Sequence, residues 1–123
     1  MMMADREQMQ RDVLVELISY SNSLIPALQD IIEELRGESK KDTNDYLGEV
    51  IAGINWEIEV YNQCASLINS KSSYIDKKSM IVAVKNLSIS LNSGNTLQIA
   101  DCFEQDFLPF LNKLTLAAQM AIA

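Results

Sequence analysis

Apolar residues return every three or four positions along four successive stretches of this chain, the spacing that lines one face of an α-helix. The first stretch is the clearest. Leu14, Leu17, Ser21, Leu24, Leu28, Ile31 and Leu35 form its stripe, and Ile18, Ile25 and Ile32 widen it. The stripe predicts a helix from near Asp5, a good N-cap residue, to Gly37, where a glycine can take the left-handed conformation that closes a helix. A second helix enters through Thr43 or Asn44 and turns Leu47, Ile51, Ile54, Ile58, Tyr61, Ala65 and Ile68 inward. The polar run Asn69 to Ser73 ends it. A third follows Asp76, with Met80, Ala83, Val84, Leu87 and Leu91 on one face, and Asn92-Ser93-Gly94 is its stop signal. The fourth opens at Asn95, with Gln98 at the capping-box spacing and a stripe of Leu97, Ala100, Phe103, Phe107, Phe110, Leu111, Leu114 and Ala118.

No segment alternates apolar and polar residues between tight turns, so the class is all-α. Short connections between long helices imply antiparallel neighbours, and residues 1–123 are expected to form one up-down-up-down four-helix bundle. Helix one is longer than helix three, so its first turns are expected to project beyond the bundle. Pro26 and Pro109 fall inside helical patterns in related contexts, Leu-Ile-Pro-Ala-Leu-Gln and Phe-Leu-Pro-Phe-Leu-Asn. Ile25 and Leu108 are poor caps, so helices one and four are expected to continue through their prolines with a kink, either curving round the core or bowing the bundle open.

Composition narrows the function more than the fold. With 48% hydrophobic and 22% charged residues, the chain has the make-up of a globular domain rather than a disordered one. Its net charge of −7 repels nucleic-acid phosphates and anionic headgroups, which argues against a nucleic-acid or membrane partner. Two cysteines without close spacing, Cys64 and Cys102, suggest neither a disulfide scaffold nor a zinc knuckle and fit a cytoplasmic setting. The acidic, polar start carries no leader signal, and no apolar run approaches the roughly 20 residues that span a bilayer.

Histidine is absent, which removes Ser-His-Asp, Cys-His, Glu-x-x-His and HExxH chemistry at once. The four glycines are isolated and build no phosphate loop. No catalytic residue, cofactor or metal ligand is therefore expected. Asp101, Glu104 and Asp106, like Glu57 and Glu59, are read as a solvated acidic surface, and both cysteines as small buried hydrophobes.

Two surfaces exceed what a bundle needs. Helix two carries a second apolar row, Gly53, Trp56, Val60 and Leu67, set away from Ile54 and Ile58. An outer row holding the only tryptophan suggests contact with a protein partner or with a second copy; otherwise Trp56 packs over Gly53 within one subunit, or helix two is buried on two sides. The segment Leu114 to Ala123 bears no charged side chain and is expected to dock as the close of helix four rather than wait for a partner helix.

The run Asn95-Thr96-Leu97-Gln98-Ile99-Ala100-Asp101-Cys102-Phe103-Glu104-Gln105-Asp106-Phe107-Leu108-Pro109-Phe110-Leu111 resembles the closing segment of small uncharacterised helical proteins of Gram-positive bacteria. Leu87 to Asp101 is similar to the last helical hairpin of flagellar secretion chaperones of the flagellin-binding type. The resemblance implies a cytoplasmic four-helix bundle that holds a helical or disordered segment of another protein in apolar grooves. The expected function is thus a non-enzymatic protein-binding bundle, a chaperone-like adaptor or a homo-oligomeric module that contacts its partner through Gly53, Trp56, Val60 and Leu67. The competing reading is a small-ligand or enzymatic bundle with a pocket near Phe103, Phe107 and Phe110 and with Asp101 or Glu104 as its polar group.

Overall fold

Local capping signals decide where the later helices begin and end. In the computed structural model, which describes residues 2–37, 40–70 and 75–123 and side chains from Asp5 onward, Asp76 caps α3 (Lys77–Ser93) by accepting from the Lys78 N–H and the Ser79 hydroxyl. Gly94 ends α3 at φ 69°, a left-handed conformation that only a residue without Cβ takes freely. One residue on, the Asn95 side chain accepts from the N–H groups of Leu97 and Gln98 and opens the fourth helix. Glu38, Ser39 and residues 71–74, parts of the two expected loops, lie outside the described residues.

The fourth helix runs as α4 (Thr96–Cys102), a π turn (Phe103–Phe107) and α5 (Leu108–Ile122). The two prolines therefore meet different backbones. Pro26 lies inside an unbroken α1 (Met2–Arg36), whereas Pro109 follows a widened turn in which the Leu108 N–H bonds the Phe103 carbonyl. Two helix-end expectations are corrected. α1 starts before Asp5, which sits in its first turn, and Gly37 does not take a left-handed conformation, although its N–H still bonds the Glu33 carbonyl at 2.9 Å.

Among the described residues there is no strand, and the helices form an all-α four-helix bundle. α1 packs on α2 (Thr43–Ser70), α4 and α5, while α3 rests mainly on α4 and the π turn. Gln10, Ser21 and Ala27 of α1 pair in turn with Gln63, Glu57 and Tyr46 of α2, which fixes those two helices as antiparallel. The core is a single cluster that includes the whole predicted stripe of α1 from Leu14 to Leu35, together with Phe103, Phe107, Leu111 and Leu114. Each such side chain contributes about 1.5–3 kcal/mol on burial. Residues 5–9 of α1 are exposed, yet they do not stand clear of the bundle, since Asp5, Arg6 and Met9 line a hollow with Gln63 and Cys64 of α2. The uncharged close of α5 is docked, with Ala117, Ala118 and Ala121 at 0% exposure. No described helix is long and apolar enough to cross a membrane.

Candidate functional site

The inward face of α2 is rotated from the predicted stripe, of which it keeps Ile54, Tyr61 and Ile68. Val50, Gly53, Ile54, Glu57, Val60, Tyr61, Cys64 and Ile68 are buried, whereas Leu47, Ile51, Ile58 and Ala65 are only half-buried on one flank. The reading of Glu57 as surface is thereby corrected: it is 0% exposed and stands at the middle of the inward face. Its carboxyl oxygens lie 3.1 and 3.0 Å from the Ser21 hydroxyl of α1, which has one proton to donate. Burial away from water disfavours the charged form and pushes the Glu57 pKa up to about 7, with the Ser21 hydrogen bond pulling the other way.

The proposed outer row is divided by the same rotation. Gly53 and Val60 are buried within the subunit, against expectation, while Trp56 and Leu67 are half-buried on the flank opposite Ile58. The cause is the close approach of α1. A Cβ on Gly53 would fall on the Tyr20 hydroxyl and come within 2.9 Å of Leu24 Cδ1, so glycine leaves room for those two α1 side chains and a larger residue would push them aside. The Tyr20 ring crosses this point and meets Trp56 edge to face, with centroids 5.4 Å apart and planes at 82°.

Around that pair the surface is concave. Glu16, Tyr20, Glu49, Ala52, Gly53 and Trp56 line a hollow of about 470 Å³ between α1 and α2. A second hollow of about 430 Å³ adjoins it through Glu49 and is lined by Glu34, Lys40, Asp42, Asp45 and Tyr46. A third, of about 640 Å³, lies towards Met9, Val13 and Gln63. The first two join at Glu49 in a shallow, largely acidic groove along α1 and α2 that holds the Tyr20–Trp56 pair, and the third, where Arg6 stands with Asp5, lies further along the same two helices. The field of the groove registers on Tyr46, whose phenol is pushed up first by burial and then by Asp30, Glu34 and Glu49.

Of the residues of the alternative pocket, Phe103 and Phe107 are sunk in the core, while Phe110 borders an open hollow. Phe103 and Phe107 are 0% exposed and pack edge to face at 6.2 Å, and Phe110 packs on Tyr61 at 6.3 Å. Asp101 and Glu104 point outward, and both are ion-paired to Arg36. A hollow of about 330 Å³ does lie beside Pro109, between Asp76, Ser79, Asp106 and Lys113. Cys64 and Cys102 are buried free thiols. Burial pushes both up, Cys102 to about 12 with help from Asp106, so neither forms a thiolate readily. Among the described residues no three Cys, Asp or Glu side chains converge as a metal ion would need.

Tyr20, Glu16 and Glu49, half of the lining of the hollow around Trp56, were not singled out by sequence. One signal was available: Ser21 and Glu57 each interrupt an apolar face at its centre, and pairing them sets the register of α1 on α2. A family model described as a domain of unknown function (DUF8042) matches residues 12–117, from the second part of α1 into α5. No curated protein and no solved structure matches the chain significantly. With the greater part of its length matched, the chain belongs to that family.

Proposed function

We propose that this member of the DUF8042 family is a non-enzymatic protein-binding bundle that takes a basic, apolar segment of a protein chain into the groove between α1 and α2. The observation that carries the reading is the Tyr20–Trp56 pair set over Gly53 between the carboxylates of Glu16 and Glu49. A lysine or arginine reaching such rings gains about 0.5–2 kcal/mol from the π face, and the flanking carboxylates favour the same charge. A groove that follows two antiparallel helices suits an amphipathic helix, which can lay its apolar face along it.

Several features support a binding role over a catalytic one. Histidine is absent, the one strongly shifted carboxyl is sealed from solvent, both thiols are held protonated, and Asp101 and Glu104 are tied to Arg36. The similarity of the closing segment to flagellar secretion chaperones gives a chaperone-like adaptor as the matching role, in the bacterial cytoplasm. Trp56 and Leu67 remain contact residues in this reading, whereas Gly53 and Val60 shape the groove from beneath.

Calorimetric titration with a lysine-rich amphipathic helical peptide, and with the same peptide carrying glutamate for lysine, tests the proposal. The lysine peptide is expected to bind with an affinity that falls as salt rises, and Tyr20→Ala and Trp56→Ala to weaken it at least about tenfold. Equal affinity for the two peptides, or wild-type binding by Trp56→Ala, overturns it.

A further inference from the structure

The groove reading leaves the origin of the basic segment open, and this inference rests on that reading. Among the described helices, α3 alone carries basic side chains without acidic ones. Lys77, Lys78 and Lys85 lie within it, and no Asp or Glu occurs from 77 to 93. α1, α2 and the α4–α5 segment each hold more acidic than basic residues, and the whole chain stands at −7. One helix thus opposes the charge of the other three.

α3 also shows its apolar residues to the outside. It buries only Met80, Ala83, Leu87 and Ser90, a narrow strip against α4 and the π turn. On the far side Ile81, Val82 and Ile89 are 54%, 54% and 51% exposed. At 100° per residue, Lys78, Ile81 with Val82, Lys85 and Ile89 follow one another along that far face in steps of three and four. The free face is therefore a basic, apolar stripe, the chemistry that the α1–α2 groove selects.

We propose that the occupant of the groove is α3 of a second copy of this chain. Charge is the first reason: Lys78 and Lys85 of one copy meet Glu16 and Glu49 of the other, while Ile81, Val82 and Ile89 reach the Tyr20–Trp56 centre. Length is the second. α3, at 17 residues, is about 25 Å long, and the stretch of α2 from Tyr46 to Gln63 that borders the three hollows covers nearly the same rise. Pairing α3 with α3 is the inferior arrangement, because it sets lysines against lysines. An anionic lipid surface is opposed by the charge of the remaining bundle. Since two different surfaces meet, association either closes reciprocally as a pair or continues head to tail, and a single helix in a shallow groove makes it weak and concentration-dependent.

Sedimentation equilibrium at low salt, over a range of concentrations, reads the outcome. The wild type is expected to exceed its 13.8 kDa monomer mass as concentration rises, and to return to it at high salt. The double variants Lys78→Glu with Lys85→Glu, and Glu16→Lys with Glu49→Lys, alter exposed side chains only, so circular dichroism should stay that of the wild type. Each alone is expected to lose self-association by about tenfold or more, and the two mixed together to regain it, because the reversed charges again face each other. A wild type that stays monomeric, or two variants that fail to associate when mixed, overturns the inference. So does binding of the wild type to phosphatidylglycerol vesicles through Lys78 and Lys85 without self-association. If the wild type is monomeric yet the lysine peptide still binds through Trp56, the self-partner falls and the groove stands; if neither binds, both fall.

Discussion

α2 and α3 solve opposite problems. α2 is buried on its inner face and half-buried on both flanks, so that a glutamate ends up at its centre with, among the described residues, one hydroxyl as the hydrogen-bond partner of its side chain. α3 touches the bundle along four residues and leaves Ile81, Val82, Val84 and Ile89 in water. A core can take in a carboxyl when its neighbour supplies a polar group, at a cost set by pH. A surface can carry aliphatic side chains at little cost to folding, and their purpose then lies outside the subunit.

The largest effect that separates the two helices is expected at Glu57. Its carboxyl keeps its proton to about pH 7 in the folded protein and loses it near 4.5 in the unfolded chain. Folding therefore takes up a proton between those values, and the stability of the wild type falls as pH rises through that window. Glu57→Gln keeps the shape and drops the charge, so it should raise stability by about 2–3 kcal/mol at pH 8 and change little at pH 4, as read by urea unfolding at each pH. A variant that is no more stable than wild type at pH 8 would mean that water reaches Glu57.

Next come two glycines of one helix. Gly53→Ala pushes a methyl group into Tyr20 and Leu24 and should cost about 1–2 kcal/mol even after the gain in helix propensity. Gly48→Ala meets nothing within 4 Å and should gain up to about 1 kcal/mol. Thermal melts of the pair, side by side, test whether closeness to α1 sets the difference. The smallest effect belongs to α3: Ile81→Gln and Val82→Gln, on its far face, should each shift unfolding by no more than about 0.5 kcal/mol while weakening association. A loss of several kcal/mol there would put α3 inside a core and erase the contrast.

What could be read in advance follows the same divide. Signals that act within a few residues were legible: the α1 stripe, the Asp76 and Asn95 caps, and the left-handed Gly94. The rotation of α2 was not, because placing Glu57 outward turned the apparent stripe towards Ile51 and Ile58 and made Gly53 and Val60 seem external. Only the facing Ser21, a partner 36 positions away, makes Glu57 an inward residue. α3 misled in the other direction. Val84 and Leu91 were assigned to its inner face but are 41% and 37% exposed, since aliphatic residues occur on every side of that helix and periodicity cannot choose its phase. Of the groove, Trp56 was visible as the only tryptophan of the chain; Tyr20, Glu16 and Glu49 became visible only once two helices were set together.

The π turn before Pro109 has a consequence for chain length. Such a turn spends one residue more than an α turn between the same two levels of the helix. The segment Phe103–Phe107 thus stores a spare residue, and Gln105 at its centre is exposed. A one-residue deletion there tightens the turn and leaves Phe110, Leu111 and Leu114 facing inward, whereas the same deletion in α1 swings every later side chain by about 100°. Single-residue deletions in this family should accordingly be tolerated at that turn before any other point within the helices.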